Sequence, residues 1–332
     1  MKRRLYQKSF CFILILVLFI LFFSCQNYRK ENIIKEKKIL FDSFFEISVI
    51  SDNNEKTKKD IEDLFSKIED LGNKFDWRNS KSFLSNSDQK NDLIIPDEFK
   101  EFFSNIKYYN EFTEGYFNPF LRKLVIAYNN FEQGTTPPDN ENIESILQKI
   151  NKSEIYFDDK SNIIVKHPEN LDLGAAIAGF LVDYSYKILI EKGYKNFLVN
   201  GSGEIRVGGN KFGKNWLIGI QDPFSNSIID AIELPDGYSI STSGGYERFF
   251  IYNGEKFHHI LNPYSGKPDS KLESVSIVSK NSCLESDILS TAVFAMGIDR
   301  AIKFCEKNNI DYYLIYKEDE KIVIKHSKFF DK

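Results

Sequence analysis

The chain has 332 residues, of which 42% are hydrophobic and 15% are aromatic. This is enough apolar material to bury the core of one large domain or two ordinary ones. Basic and acidic residues are interspersed and the net charge is only −4, which excludes the strongly basic surface of a nucleic-acid-binding protein, so no nucleic-acid partner is expected.

Residues 1–24 have the pattern of a lipoprotein-type signal peptide. Residues 1–4 carry positive charge, and residues 9–23 are almost wholly apolar. Such a run is short for a membrane-spanning helix and typical of a signal peptide. Cys25 follows a small residue, as in a bacterial lipobox, so we expect lipidation of Cys25. An uncleaved signal anchor is the alternative, and either interpretation predicts a membrane-attached protein that faces the periplasm or another extracytoplasmic space.

The first half of the body is predicted to alternate between strands and helices. Residues 25–38 are polar and charged and are predicted to be a tether, and residues 39–332 are predicted to form the folded body. The apolar spacing predicts a strand at 39–51 and helices at 61–71 and 99–106. A further helix at 141–150, capped by Asp139 or Asn140, and a hairpin of 155–157 with 163–166 follow.

The second half is richer in strands. A helix is predicted over residues 174–192, ended by Gly193, and another over 284–296, ended by Gly297. Strands are predicted at 196–199, 216–221, 228–234, 249–252, 274–278, 312–316 and 321–325. Separate helices with mostly antiparallel strands favour an α+β fold in a single compact body. A Cys283–Cys305 disulfide would be possible in an oxidising compartment, but two cysteines do not establish it.

Two Gly-rich segments could hold an anion. Residues 172–179 place small side chains at the start of a predicted helix, where backbone N–H groups favour anions, although close helix packing would explain the same composition. Residues 241–245 place two glycines after three hydroxyl side chains, which predicts a loop with exposed N–H groups. Residues 199–206 also surround a Gly-rich turn, but an ordinary hairpin accounts for them.

Asp287 and Thr291 could bind a hard cation. Residues four apart on a helix share a face, so a carboxylate and a hydroxyl can point at one ion. The alternative is a surface Asp followed by a Thr that bonds to its own helix.

A histidine and two aromatic segments complete the candidates. His258 and His259 follow a predicted hairpin with a turn at Asn253-Gly254, and His259 is the candidate for proton transfer near neutral pH. The aromatic residues of 75–77 and 115–120 could stack on a flat ring system or could belong to the core.

The order of these segments resembles the ApbE family of FAD:protein FMN transferases. The resemblance extends from about Phe41 to the C-terminus and rests on seven segments: 115–119 (GYFNP), 172–175 (DLGA), 200–206 (NGSGEIR), 219–223 (GIQDP), 241–248 (STSGGYER), 259–263 (HILNP) and 287–292 (D-x-x-x-T-A). It implies the ApbE-like α+β fold.

The resemblance also implies the reaction. Members bind FAD, use Mg²⁺ and transfer FMN through its phosphate to a Thr of a membrane flavoprotein, such as a redox-pump subunit, while AMP leaves. Some members instead hydrolyse FAD to FMN and AMP. A lipoprotein that binds FAD without catalysing a reaction is a third possibility.

The matched positions carry implied roles. His259 matches the catalytic histidine, and Ala175 (through its carbonyl), Asp287 and Thr291 match the Mg²⁺ ligands. The positions implied to contact FAD are Phe41, Trp77, Tyr116, Phe117, Asn118, Asp172, Ala178, Ser243, Gly244, Gly245 and Leu261.

Three residues depart from the family pattern. Ala178 stands where a Lys or Glu is usual, and Asn118 and Asn262 stand where Asp is common. The loss of a charged contact at Ala178 is expected to weaken FAD binding. Losing the two carboxylates at 118 and 262 would lower metal affinity, alter the proton relay or be tolerated.

Overall fold

The computed structural model describes residues 31–41, 43–87, 90–225 and 227–331. Its strands are β1 (Asn32–Leu40), β2 (Ser43–Ser51), β3 (Asp92–Ile94), β4 (Glu154–Phe157), β5 (Ile163–Lys166), β6 (Phe197–Gly201), β7 (Glu204–Gly208), β8 (Trp216–Gln221), β9 (Ile228–Leu234), β10 (Ser239–Gly244), β11 (Phe249–Tyr252), β12 (Glu255–His258), β13 (Leu272–Ser279), β14 (Asp311–Glu318) and β15 (Lys321–His326). Its α-helices are α1 (Asn54–Asn73), α2 (Lys100–Phe112), α3 (Arg122–Ala127), α4 (Asn140–Ile150), α5 (Gly174–Glu191), α6 (Cys283–Met296) and α7 (Ile298–Asn308).

The central sheet has eight antiparallel strands in the order β1-β2-β6-β7-β10-β13-β14-β15. A second sheet, β3-β5-β4, and the hairpins β8-β9 and β11-β12 are also antiparallel. Separate helices with antiparallel sheets confirm the predicted α+β class.

Helix α6 lies at the centre of the protein. Nearly all its side chains are buried, as expected of a helix that is apolar around its whole circumference. It packs against α5 and against strands β10 and β13. Ser282 caps its start, because the Ser282 hydroxyl accepts a hydrogen bond from the Glu285 N–H. Polar side chains on α6 are therefore held inside the protein rather than at its surface.

Most of the predicted elements are confirmed. Strands β8, β9 and β11 have the predicted bounds, and Asp139 caps α4. The predicted turn at Asn253-Gly254 joins β11 to β12, and both of its residues have positive φ.

Two predictions are wrong at particular segments, and one helix was missed. Residues 32–38, assigned to the tether, belong to β1, where Lys35 and Lys37 both pair with Glu46 on β2. Residues 241–244, predicted to be a loop, lie in β10 near the middle of the central sheet. Helix α7 was not predicted, because only a narrow apolar face (Ala301, Phe304, Cys305) interrupts its charged residues.

The N-terminal predictions lie outside the described residues. Residues 1–24 and Cys25 are not among them. Of the helices that the structure describes, none is both long and apolar enough to cross a membrane. Cys283 and Cys305 are both buried free thiols, so the possible disulfide between them is not formed.

Candidate active site

Helices α5 and α6 meet at a glycine. A Cβ atom on Gly179 would lie 2.6 Å from the Cys283 carbonyl oxygen and 2.7 Å from the Asp287 Cβ, so only glycine permits this approach. The Gly179 N–H donates a 2.8 Å hydrogen bond to Asp287 Oδ2. Asp287 is 4% exposed, which excludes the alternative of an ordinary surface carboxylate.

The start of α5 is distorted at Ala175. Its φ and ψ are −86° and 17°, outside the regular helical range. In a regular helix the Gly179 N–H would point at the Ala175 carbonyl, four residues earlier, whereas here it donates to Asp287. Ala175 therefore lies one helical turn before the α5–α6 contact, on the same face of α5 as Gly179.

Thr291 lies one turn after Asp287 and contacts strand β10. The Ser243 hydroxyl lies 3.2 Å from the Thr291 hydroxyl and 2.8 Å from that of Ser290. Ser243 thus belongs to the site, although through its side chain on a strand rather than through a loop. The adjacent backbone is engaged, since Gly244 pairs with Ser274 and the Gly245 N–H donates to the Glu273 carbonyl.

The oxygen atoms of this region suit Mg²⁺. Within the described ranges no group of three or more His, Cys, Asp and Glu side chains is arranged around a metal position. One carboxylate (Asp287), one hydroxyl (Thr291) and one carbonyl (Ala175) form instead a small set of hard oxygen donors. Mg²⁺ is commonly held by few protein oxygens together with substrate phosphates and water, so the residues fit this ion.

Two glutamates beside Asp287 were not predicted as site residues. Burial, followed by the charges of Asp287 and Glu247, raises the pKa of Glu204. Partial removal of Glu247 from water also raises the pKa of Glu247 to about 7, and the positive charge of Arg248 opposes this rise. Both residues stand inside the motifs quoted above, at 200–206 and 241–248, and this was the signal that could have found them.

The same crowding acts on Asp287. Burial raises the pKa of Asp287 to about 7, the Gly179 N–H opposes this, and the charges of Asp183 and Glu247 reinforce it. Carboxylates that raise one another's pKa values create a region where a cation is strongly favoured.

His259 is held in a defined orientation by Arg248. Both the backbone N–H of His259 and its Nδ1 lie within hydrogen-bonding distance of the Arg248 carbonyl oxygen, at 3.0 and 3.1 Å. Because a carbonyl only accepts, this contact assigns the proton of the neutral ring to Nδ1 and leaves Nε2 as an acceptor. Burial, followed by the positive charge of Arg248, lowers the pKa of His259 to about 4. The imidazole is therefore neutral near pH 7.

His258 points into the core instead. It is 4% exposed and its ring meets Phe294 edge-on, with centroids 5.1 Å apart. Its two ring nitrogens have no hydrogen-bond partner among the described residues. Burial lowers the pKa of His258 to about 4.

An aromatic cavity of about 140 Å³ opens beside the start of α5. Three predicted residues line it together: Phe41, Trp77 and Asp172. The Phe41 ring rests on Gly72 of α1, where a Cβ atom would lie 2.1 Å from the Phe41 Cζ. The Arg122 guanidinium stacks on the Trp77 ring at 4.5 Å. Residues that were not predicted but also line the cavity include Asp76, Arg78, Asn130 and Arg248.

A larger cavity, of about 410 Å³, lies on the other side of Phe41. The two cavities share Phe41, Asp76 and Arg78. The two cavities are therefore neighbours that meet at these residues.

The remaining predicted residues are placed differently. Phe117 and Leu261 are core residues, 1% and 4% exposed. Tyr116 packs between Tyr264 and Arg300, outside the lining of the aromatic cavity. Asn118 accepts a hydrogen bond from the Phe120 N–H and lines a separate cavity. Ala178 is half-buried on α5.

Asn262 is engaged within its own turn. Its Oδ1 accepts from the Tyr264 N–H, and its Nδ2 donates to Asp269 at 3.1 Å. The side chain therefore holds the turn that follows His259.

The chain is similar in sequence and in fold to known proteins. A protein of *Haemophilus influenzae* named FAD:protein FMN transferase is 28% identical over 298 residues, covering 85% of each chain. A *Klebsiella pneumoniae* protein of the same name is 30% identical over 213 residues, which are 62% of this chain and 65% of that protein. The crystal structure of the ApbE protein of *Thermotoga maritima* superposes with a TM-score of 0.80 at 26% identity, covering 91% of this chain and all of that one.

A second solved structure has the same fold. The flavin transferase ApbE of *Vibrio cholerae* superposes with a TM-score of 0.77 at 24% identity. The sequence pattern of the ApbE family matches residues 41–314, and this range begins where the resemblance predicted it. The chain belongs to the ApbE family.

Proposed function

We propose that this protein is an FAD:protein FMN transferase that depends on Mg²⁺ and acts on a threonine of an acceptor protein. The names of its relatives support the reaction class. One observation supports the site: Arg248 lines the aromatic cavity and also holds His259 with its backbone carbonyl. A ring system bound in the cavity would thus place its phosphate near the imidazole and the α5–α6 contact.

The proposed reaction exchanges one phosphoanhydride bond for one phosphoester bond. The threonine oxygen of the acceptor attacks the phosphorus on the FMN side of FAD, the bond to the AMP phosphate breaks, and AMP leaves. His259 Nε2 takes the proton of the attacking hydroxyl, because Nδ1 already donates to Arg248.

The other residues bind and orient the phosphates. A cation held by Ala175, Asp287 and Thr291 would neutralise the charge of the pyrophosphate. The N–H groups at the start of α5 favour the same anion. Because phosphoryl transfer depends mainly on positioning and charge stabilisation, a neutral base with fixed donors suffices for the protein's part.

We also propose that the protein is lipid-anchored through Cys25 and meets a membrane flavoprotein outside the cytoplasm. The charged and apolar segments of residues 1–23 support this, as does the small residue before Cys25. Cys25→Ser should release the protein from the membrane fraction. If that variant remains in the membrane and keeps residues 1–24, the protein has an uncleaved signal anchor instead.

The reaction is tested with the full chain in detergent, given FAD and Mg²⁺ with or without a threonine-bearing acceptor domain. Covalent flavin fluorescence on the acceptor supports transfer. Free FMN and AMP formed without acceptor would support hydrolysis, and unchanged FAD would support a binding protein. His259→Ala should slow transfer by about 10²–10⁴-fold with little change in FAD affinity, whereas His167→Ala, outside the lining of both cavities, should leave both unchanged.

A further inference from the structure

The start of α6 is held by a carboxylate from the neighbouring helix. Asp183 of α5 accepts hydrogen bonds from the N–H groups of Cys283 and Leu284, at 2.8 and 2.9 Å. The first N–H groups of a helix have no partner inside that helix, and a negative charge is favourable there. Asp183 is therefore a cap for α6 supplied by α5.

Arg206 of strand β7 fixes Asp183 in turn. Its Nη1 donates to Asp183 Oδ1 at 2.5 Å, its Nη2 to the Asn281 carbonyl at 3.1 Å and its Nε to the Gly237 carbonyl at 3.2 Å. The guanidinium also stacks on Tyr186 of α5 at 4.1 Å. One planar group thus connects α5, β7 and the segment that enters α6, which suits the rigid fork of arginine.

The two helices are joined at two points by bonds of opposite direction. At the first point, Gly179 of α5 donates to Asp287 of α6. At the second point, one turn later in α5 and one turn earlier in α6, the start of α6 donates to Asp183 of α5. The pairs run in opposite senses along the chain, so α5 and α6 are antiparallel here. Neither a slide nor a rotation of α6 can keep both contacts.

We propose that Asp183 and Arg206 are positioning residues that set α6 so that Asp287 and Thr291 present their oxygens to one cation. This inference rests on the proposed function. Asp183 does not itself face the cation position, since both of its oxygens are occupied by α6 and Arg206. Residues that orient metal ligands in this way typically change metal affinity about 10–100-fold when replaced.

Asp60 offers a matched control. It is also a buried carboxylate bound to α5, through Lys192 at 2.5 Å and Tyr194 at 2.7 Å. Its contacts, however, tie α1 to the C-terminal end of α5, away from Asp287. Asp60→Asn should therefore lower stability without altering the cation position.

The test measures Mn²⁺ binding to the full chain without FAD by electron paramagnetic resonance. We expect Asp183→Asn to weaken Mn²⁺ at least about tenfold and Asp60→Asn to change it less than about twofold. Hydrogen exchange should show faster exchange of the Gly179 amide in Asp183→Asn only. Arg206→Lys keeps the positive charge but not the planar guanidinium, so its loss of Mn²⁺ affinity should lie between those of the wild type and Asp183→Asn. If Asp183→Asn does not fold, the Mn²⁺ affinity of Arg206→Lys tests the positioning role.

The outcomes separate this inference from the proposed function. Normal Mn²⁺ affinity and normal Gly179 exchange in Asp183→Asn would overturn the positioning role, while the wild-type site stands. If Asp287→Ala binds Mn²⁺ as well as the wild type, the cation assignment and this inference fall together. Faster exchange of the Gly179 amide in Asp287→Ala would then show only that the hydrogen bond between Gly179 and Asp287 is structural. The positioning role would also be overturned if Asp60→Asn lost as much Mn²⁺ affinity as Asp183→Asn.

Discussion

The Gly179 N–H and the Asp287 carboxylate form a 2.8 Å hydrogen bond between residues 108 positions apart in the chain. The bond exists because Gly179 has no side chain at the closest approach of α5 and α6. It directs a buried carboxylate toward the distorted start of α5, where Ala175 lies. The backbone of one helix thus orients the side chain of the other.

Gly179→Ala is expected to force the two helices apart. The new Cβ would meet backbone of α6 at 2.6 Å, and such overpacking typically costs about 1–3 kcal/mol. We expect a lower free energy of unfolding in urea. We also expect the reaction to need a higher Mg²⁺ concentration for half-maximal activity. Gly219→Ala is the control, because its Cβ would meet the Ile228 side chain, at 2.7 Å from Cδ1, rather than backbone of another helix. Equal Mg²⁺ dependence in the two variants would contradict the prediction.

Ser243→Ala and Thr242→Ala form a second comparison. The neighbours lie on opposite faces of β10, and each hydroxyl bonds to another hydroxyl, Ser243 to Ser290 and Thr242 to Ser276. Each substitution should cost about 1 kcal/mol of stability. Only Ser243→Ala should weaken Mg²⁺ activation, by about tenfold, because only Ser243 contacts Thr291. A titration of activity against Mg²⁺ checks this, and the same curve for both variants would exclude a role for Ser243.

Gly72→Ala is expected to act on FAD through Phe41. Alanine suits a helix better than glycine by about 0.5–1 kcal/mol, but its Cβ would meet the Phe41 ring at 2.1 Å. We expect the ring to move and FAD to bind about two- to tenfold more weakly, the range of one aromatic contact. Combining Gly72→Ala with Phe41→Ala should add no further loss beyond Phe41→Ala alone. Additive losses in fluorescence titrations would show that Gly72 acts by another route.

His258 is expected to make stability depend on pH. Its folded-state pKa is about 4, whereas the unfolded value is 6.5, so the unfolded chain binds more protons between these values. The contribution of neutral His258 to the free energy of unfolding is complete above about pH 6.5 and is lost as the pH falls toward 4. For this residue the loss at pH 5 is roughly 2 kcal/mol. His258→Leu should therefore lose less stability than the wild type between pH 7 and pH 5 in urea unfolding, and parallel losses would contradict this.

The sequence predicted elements well where local pattern and burial agree. Strands β8 and β9 alternate clearly and α6 ends at Gly297, so their bounds were predictable. Strand β1 was not, because its Lys and Glu residues resemble a tether until β2 supplies their partners. Strand β10 was not, because glycine is depleted in strands and the two glycines that follow Ser243 resemble a loop.

The site was predictable only in part, for a similar reason. Asp287, Thr291 and His259 stood out through motif and spacing. Asp183 and Arg206 did not, since their importance arises from contacts between segments far apart in the sequence. Phe117 shows the opposite case, because a motif position that the resemblance assigned to the ligand is filled by a core side chain.

The proposed cation site divides its oxygen donors between α5 and α6, which would couple cation binding to folding. An unfolded chain cannot bring Ala175 and Asp287 together, so a cation that needs both binds only the folded state. Its presence should then raise the melting temperature in proportion to the logarithm of its concentration above Kd. Divalent ions would thus stabilise the same helix contact that the proposed reaction requires.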